Sequence, residues 1–215
     1  MSDIAIYGAG GFGREIACLI RLINKSFEES KWNFIGFFDD GLKEGDSNEY
    51  GKVLGGIDTL NQWGESLSIV IAIGSPDSVK KIVSNIKNKN ITFPNIIAPN
   101  VTILDRTNVR IGKGNIICSD CLISCNVELG DFNLLNCFIT VGHDTSIGNY
   151  NVIMPSCNIS GGVGIGECNF MGLKSAILQY LSIGNSTRIG AGAIVMRNTK
   201  DGYLYIGIPA EKIEL

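Results

Sequence analysis

The chain has 215 residues and a net charge of −3. That is enough length for two modest domains, and the charge gives no case for a nucleic-acid partner or an anionic membrane. Met1-Ser2-Asp3 lacks the basic start and apolar run of a signal peptide, and no apolar run reaches membrane-spanning length, so a cytoplasmic protein is expected.

The first element is a buried strand, Ile4-Ala5-Ile6-Tyr7, followed by Gly8-Ala9-Gly10-Gly11-Phe12-Gly13 and an apolar-periodic helix from about Arg14 to Leu22. This is G-x-G-x-x-G in a strand–turn–helix context, where glycines let the backbone approach a phosphate and the helix N-terminus favours negative charge. A second strand, Phe34 to Phe38, ends at Asp39-Asp40, where an acid can bind a ribose hydroxyl. A tight turn with no ligand is the alternative. Residues 41–52 are polar and glycine-bearing and read as a loop. A short helix is expected over Ile57 to Trp63, a strand over Ile69 to Ile73 ending in Gly74, and a helix from Pro76 to Lys87. Alternating strands and helices predict a small parallel α/β sheet, about half a full dinucleotide fold. Phe93-Pro94-Asn95 to Ala98-Pro99-Asn100 marks the boundary, giving domains 1–95 and 96–215.

Beyond it, every sixth residue from Ile111 to Val195 is aliphatic, through Ile117, Ile123, Leu129, Leu135, Val141 and onward. A hexapeptide period predicts a parallel β-helix. The pairs Ile111-Gly112, Leu129-Gly130, Ile147-Gly148, Ile165-Gly166 and Ile183-Gly184 recur every 18 residues, so three hexapeptides make one turn of a triangular prism. Residues 111–195 supply between four and five coils. The aliphatic residue points inward, and glycine follows where the chain turns tightly, with positive φ expected there. Small residues often sit four positions after the aliphatic, as at Cys121, Thr145, Cys157, Ser175, Thr187 and Ala193. Tyr203 to Leu215 is expected to cap the open end.

The seven cysteines are an odd count, which argues for reduced thiols. Cys118, Cys121 and Cys125 have no matching second pair, and Cys121 and Cys157 fill small-residue slots, so packing rather than metal binding is expected. The lone histidine, His143, stands in Val141-Gly142-His143-Asp144-Thr145-Ser146-Ile147-Gly148. Two residues past an inward aliphatic, its side chain is expected to point outward. Histidine suits a general base near neutral pH, and Asp144 is placed to orient the ring. A solvated surface histidine is the alternative.

The [LIV]-G-x-x-x-x array and the closing Gly207-Ile208-Pro209-Ala210 resemble the hexapeptide acyltransferases, and Gly8 to Glu15, GAGGFGRE, resembles the opening motif of bacterial sugar O-/N-acetyltransferases. The resemblance covers nearly the whole chain. It implies an α/β + β fold, in which a small Rossmann-like parallel α/β domain precedes a left-handed parallel β-helix; general rules would favour right-handed crossovers. It also implies an acetyl-CoA-dependent acetyltransferase of bacterial glycan biosynthesis, assembled as a homotrimer with the active site shared between subunits. By that resemblance His143 is the base and Asp144 its orienting acid. Gly161, Leu173, Gly190 and Ala191 line the acetyl-CoA groove, joined by Asn151, which stands where some relatives have a second histidine. Gly10, Phe12, Asp39, Asp40 and Gly74 match the nucleotide-sugar side. Ala98 and Phe12 stand where some relatives carry histidine.

The leading expectation is acetylation of an amino group on a nucleotide-linked sugar. Its alternatives are O-acetylation of a sialic-acid-type sugar and a non-catalytic sugar-binding scaffold. A γ-type carbonic anhydrase needs three zinc-binding histidines and is excluded by a chain that has one. A nicotinamide-dependent dehydrogenase would need a substrate domain, for which a prism of short strands is a poor candidate. No metal is expected, and no nucleic-acid or membrane partner.

Overall fold

The computed structural model describes residues 1–213. Its N-terminal part is a twisted sheet of β1 (Ser2–Tyr7), β2 (Trp32–Phe38), β3 (Ser47–Asn48), β4 (Gly51–Gly55), β5 (Leu67–Ile71) and β6 (Ile91–Thr92). The strand order is β3-β4-β2-β1-β5-β6, parallel throughout except for β3 against β4. The first helix, α1 (Gly11–Lys25), is longer than its apolar period suggested. It buries Ile16, Ala17, Leu19, Ile20 and Ile23, the one-sided stripe of a helix lying on a core. The shorter helices are α2 (Ile57–Asn61) and α3 (Pro76–Asn85).

The stretch expected to be a loop, residues 41–52, instead carries a hairpin that adds β4 to the sheet beside β2. Its polar, glycine-bearing sequence hid it. Gly36 takes φ 145°, and a Cβ there would meet the Lys52 carbonyl at 2.6 Å, so the two strands approach through a glycine. The chain enters at β1, winds to β2 and β4 on one side, and crosses to β5 and β6 on the other. The crevice at such a reversal is where open α/β sheets take ligands.

The rest is a three-faced coil of two-residue strands. Ile96–Ile97, Ile116–Ile117, Leu134–Leu135, Val152–Ile153, Phe170–Met171 and Arg188–Ile189 stack in the first face. The second runs from Thr102–Ile103 through Thr140–Val141 to Ile194–Val195, and the third from Arg110–Ile111 through Ser146–Ile147 to Ser182–Ile183. Within each face the strands of the coil pair in parallel at a spacing of 18 residues, except at the first step of the first and second faces, where Ile96 pairs with Ile116 and Thr102 with Leu122. All fifteen aliphatics of the six-residue series are strand residues, and all but the half-buried Ile111 are buried. The prism begins a coil earlier than the series, at Ile96. Eight residues instead of six separate Ile103 from Ile111, and the break concealed that coil.

The corners correct one expectation. The glycine after each aliphatic does not have positive φ; the left-handed residue comes two positions later, at every corner from Gly114 to Gly192, and is usually not glycine. The first glycine answers to coil spacing. A Cβ on Gly130 or Gly148 would lie 2.8 Å from the carbonyl oxygen of the next coil. At the third corner the fourth position forms an internal asparagine ladder of Asn115, Asn133, Asn151 and Asn169, each amide oxygen accepting from a backbone N–H one coil on.

Leu204–Ile206 continues the first face and Glu211–Ile213 folds back antiparallel on it, covering the last coil. The two parts of the chain share one buried cluster in which α1 residues join Ile116, Leu134 and Val152 of the first face. Phe93 meets Phe132 edge-on at 5.1 Å, and Phe132 stacks on Tyr150.

Candidate active site

His143 follows Gly142 at the second corner, and its side chain is 53% exposed. Its Nδ1 lies 2.7 Å from Asp144 Oδ2. The Asp144 backbone is left-handed, φ 56°, which turns the carboxylate back along the ring of its neighbour. Asn126, one coil earlier, donates to Asp144 Oδ1 at 3.0 Å. The ring contact, then the Asn126 amide, hold the Asp144 carboxyl below its ordinary range. An ionised carboxylate only accepts, so Nδ1 carries the proton, and in the neutral form of the ring Nε2 has the free lone pair. The sequence reading missed Asn126; its signal was its place 18 residues before Asp144.

The ring rises onto the coil above. A Cβ on Gly161 would lie 2.5 Å from His143 Nε2 and 2.6 Å from Cε1, so glycine is the residue that leaves the imidazole its seat. Gly162 N donates to His143 O at 2.8 Å, and Tyr180 N donates to Gly161 O at 3.0 Å. The Gly161 amide itself has no acceptor among the described residues. Equivalent amides at the third corner are closed by side chains: Lys113 N donates to Asp131, Asp131 N to Asn149, and Glu167 N to Asn185. The Gly161 N–H is therefore an open donor beside a free imidazole nitrogen, the pairing that acyl transfer needs.

Leu173, Gly190 and Ala191 lie together at the first corner, one and two residues past Gly172 and Ile189. Leu173 O accepts from Gly192 N, and the amides of Leu173 and Ala191 have no acceptor among the described residues. The second face separates these groups from His143 and Gly161, so one copy of the chain does not bring them together. Asn151 does not belong with either set. It is fully buried in the ladder, its Nδ2 donating to Asn133 Oδ1 at 3.0 Å and its Oδ1 accepting from Asn169 N. The expectation that it touches acetyl-CoA is corrected: the fourth position after an inward aliphatic faces the prism interior.

The N-terminal candidates gather at the C-terminal edge of the sheet. Gly10 caps α1, and a Cβ there, or on Gly74, would meet nothing within 4 Å. Gly8 and Gly13 are different. Gly8 takes φ 109°, and a Cβ on Gly13 would collide with the Gly8 carbonyl, so both serve the turn. Asp39 accepts from Ala9 N at 2.8 Å and from Gly41 N at 2.9 Å. Asp40 accepts from the Tyr7 hydroxyl at 2.6 Å and from Ile57 N at 2.8 Å. Burial, then this bond to Asp40, pushes the Tyr7 phenol up. Both acids thus tie the loops, with spare lone pairs for a ligand. Phe12 packs, half-buried, against the core. A groove of about 350 Å³ lies between α1 and the first corner, lined by Glu15, Cys18, Leu19, Ser119, Asn136 and Cys137.

The seven thiols are unpaired, and among the described residues no cluster suits a metal ion. Burial raises Cys121 to about 11 and Cys118 further, and it also raises Cys157, so none of these three is a nucleophile at neutral pH.

Residues 3–86 match the family model described as the PglD N-terminal domain. Among solved structures, the chain is similar to WeeI from Acinetobacter baumannii AYE, at 28% identity and TM-score 0.87 over 99% of this chain and 100% of that one. It is also similar to the acetyltransferase domain of PglB from Neisseria gonorrhoeae FA1090 in complex with acetyl coenzyme A, at 25% identity and TM-score 0.85 over 98% of each chain. A histidine-to-asparagine mutant of perosamine N-acetyltransferase from Caulobacter crescentus, in complex with CoA and GDP-perosamine, matches in fold at 24% identity and TM-score 0.86, over 100% of this chain and 98% of that one. The chain thus matches the PglD N-terminal domain over residues 3–86, and as a whole it has the two-part fold, α/β sheet and left-handed β-helix, that these acetyltransferase structures share.

Proposed function

We propose that this chain is an acetyl-CoA-dependent N-acetyltransferase that acts on the amino group of a nucleotide-linked sugar in glycan biosynthesis. The observation that carries the proposal is the Asp144-oriented imidazole whose free Nε2 abuts Gly161, next to that residue's open amide. The acceptor amine attacks the thioester carbonyl as His143 Nε2 takes its proton. The oxyanion of the tetrahedral intermediate accepts from the Gly161 N–H. Collapse breaks the C–S bond, and the imidazolium returns its proton to the departing thiolate, giving CoA thiol and the amide. No acetyl-enzyme is formed.

The donor is read as lying between the second corner of one prism and the first corner of another, because Gly161 and the open amides of Leu173 and Ala191 are on different corners. That reading requires a closed homotrimer, whose heterologous interfaces bring equal coil heights together. Asn136 and Cys137 then stand level with the partner subunit's His143, and the groove beside α1 seats the acceptor sugar. Gly10, Gly74, Asp39 and Asp40 hold its nucleotide, with Gly10 offering backbone and the α1 N-terminus to phosphate. Residues 1–95 act as the nucleotide-sugar domain and residues 96–215 as the transferase domain. Unpaired thiols suit a reducing cytoplasm, and no helix among the described residues is long and apolar enough to cross a membrane.

Light scattering at micromolar concentration is expected to give three chains per particle; a monomer contradicts the shared site. Gly10→Val, which adds a side chain in open space, is expected to raise the KM for the nucleotide sugar more than that for acetyl-CoA. Tight stoichiometric NAD binding with no nucleotide-sugar effect overturns the assignment of the N-terminal domain.

A further inference from the structure

We infer that Tyr180 is a specificity residue that limits the acyl group of the donor to acetyl. This rests on the acyl-transfer reading above. Tyr180 stands one coil above Gly162 at His143's corner, with left-handed backbone, φ 61°. A Cβ on Gly162 would collide with the Tyr180 ring, so the ring leans down and rests on Gly162 as the imidazole leans up and rests on Gly161. Adjacent α-carbons are about 3.8 Å apart. The two rings therefore flank one narrow space beside the Gly161 backbone, whose amide is open.

Phe132 leans on Gly114 in the same way at the third corner, but there Phe93 and Tyr150 cover the ring. Tyr180 is 74% exposed: the protein seats this ring and leaves it uncovered beside its base. What passes it is read from where the open backbone amides lie. Above His143 the exposed side chains of this corner are mixed, Leu178, Tyr180 and Met196 beside Gln179 and Arg197. Below it lies a cleft lined by Thr107, Asn108, Arg110, Asn126 and Glu128. The open amides of Gly161, Leu173 and Ala191 belong to the coils above. A donor arm that carries amide groups matches the upper side, where these open N–H groups lie, and its thioester reaches Gly161 past the Tyr180 ring. An acyl chain longer than acetyl has to enter the space that ring occupies.

The test is calorimetric binding of acetyl-, propionyl- and butyryl-CoA to the intact protein, which needs no knowledge of the acceptor. Wild type is expected to bind butyryl-CoA at least about 10-fold more weakly than acetyl-CoA, the discrimination one or two methylenes give in a closed pocket. Tyr180→Ala is expected to bring that ratio close to one, Tyr180→Phe to keep it, and Tyr180→Trp to extend it to propionyl-CoA. A general loss of structure would not reorder acyl lengths, and the Trp variant decides the matter if the Ala variant fails to fold. An unchanged ratio in Tyr180→Ala and Tyr180→Trp, or equal binding of all three donors by wild type, overturns the inference. Wild type that binds no acyl-CoA overturns the acyl-transfer reading itself, a distinguishable result.

Discussion

Gly161→Ala separates the position of the base from its chemistry. Gly161 lacks positive φ, so alanine costs its backbone nothing. The added Cβ would sit 2.5 Å from Nε2 and 2.6 Å from Cε1 of His143, against an ordinary contact of 3.4 Å or more. The imidazole must withdraw by about 1 Å, and a misplacement of that size costs about 10²-fold in rate, or about 2.7 kcal/mol. The ring is half-exposed and free to swing outward, so the fold is expected to survive. Gly142→Ala is the contrast: its Cβ would meet the Gly161 amide nitrogen at 2.5 Å and the Ser160 carbonyl carbon at 2.6 Å, backbone that cannot step aside, so it is expected to lower the melting temperature. Steady-state kinetics of Gly161→Ala are expected to show kcat reduced about 10²-fold with the KM for acetyl-CoA little changed. Because the chain has one histidine, its single imidazole NMR resonance reports the displacement without assignment. A Gly161→Ala protein with wild-type kcat would refute the placement of the working imidazole against Gly161.

His143→Ala is expected to lower kcat about 10²–10⁴-fold and Asp144→Asn to cost less, and raising pH should partly rescue His143→Ala if the acceptor is an amine. Asp144 has a lowered pKa in the fold, so its link to the ring is present above about 3.9 and is lost only as pH falls through its lower folded value; loss of kcat/KM is expected to follow that fall in a pH profile. Asn151→Ala orphans the buried Asn169 N–H and is expected to cost about 1–3 kcal/mol in denaturant unfolding, with the KM for acetyl-CoA unchanged; a selective rise in that KM would return Asn151 to the donor site. A thiol reagent at neutral pH is expected to label exposed Cys18 first and Cys118, Cys121 and Cys157 slowest, and rapid loss of Cys121 would contradict its raised pKa.

The prism was legible because an inward position in a coil of fixed period admits one kind of side chain, and fifteen repeats make that visible. Its first coil was not, since an eight-residue step between Ile103 and Ile111 breaks the period. β4 escaped because Gly51 and Gly55 do not read as a strand, though strand approach through Gly36 requires a neighbour there. At the site, His143 stood out as the one histidine beside an acid, and its outward direction followed from the repeat phase. Asn126 and the seat at Gly161 were hidden because they adjoin His143 only across coils, 17 or 18 residues away. Asn151 misled for the opposite reason: a position aligned with relatives was read as surface, although its phase, four past Ile147, is the phase of buried residues such as Thr145.

The central claim is amine acetylation by His143, and it is met most directly by mass spectrometry of a nucleotide-sugar panel incubated with the protein and acetyl-CoA. The account predicts that a nucleotide-linked amino sugar gains one acetyl group in place of hydrogen on its nitrogen, with an equivalent of CoA thiol released, and that His143→Ala slows this about 10²–10⁴-fold. Acetyl found only on a hydroxyl of an unlinked sugar, or full turnover by His143→Ala with loss on a Cys→Ser change, would contradict it.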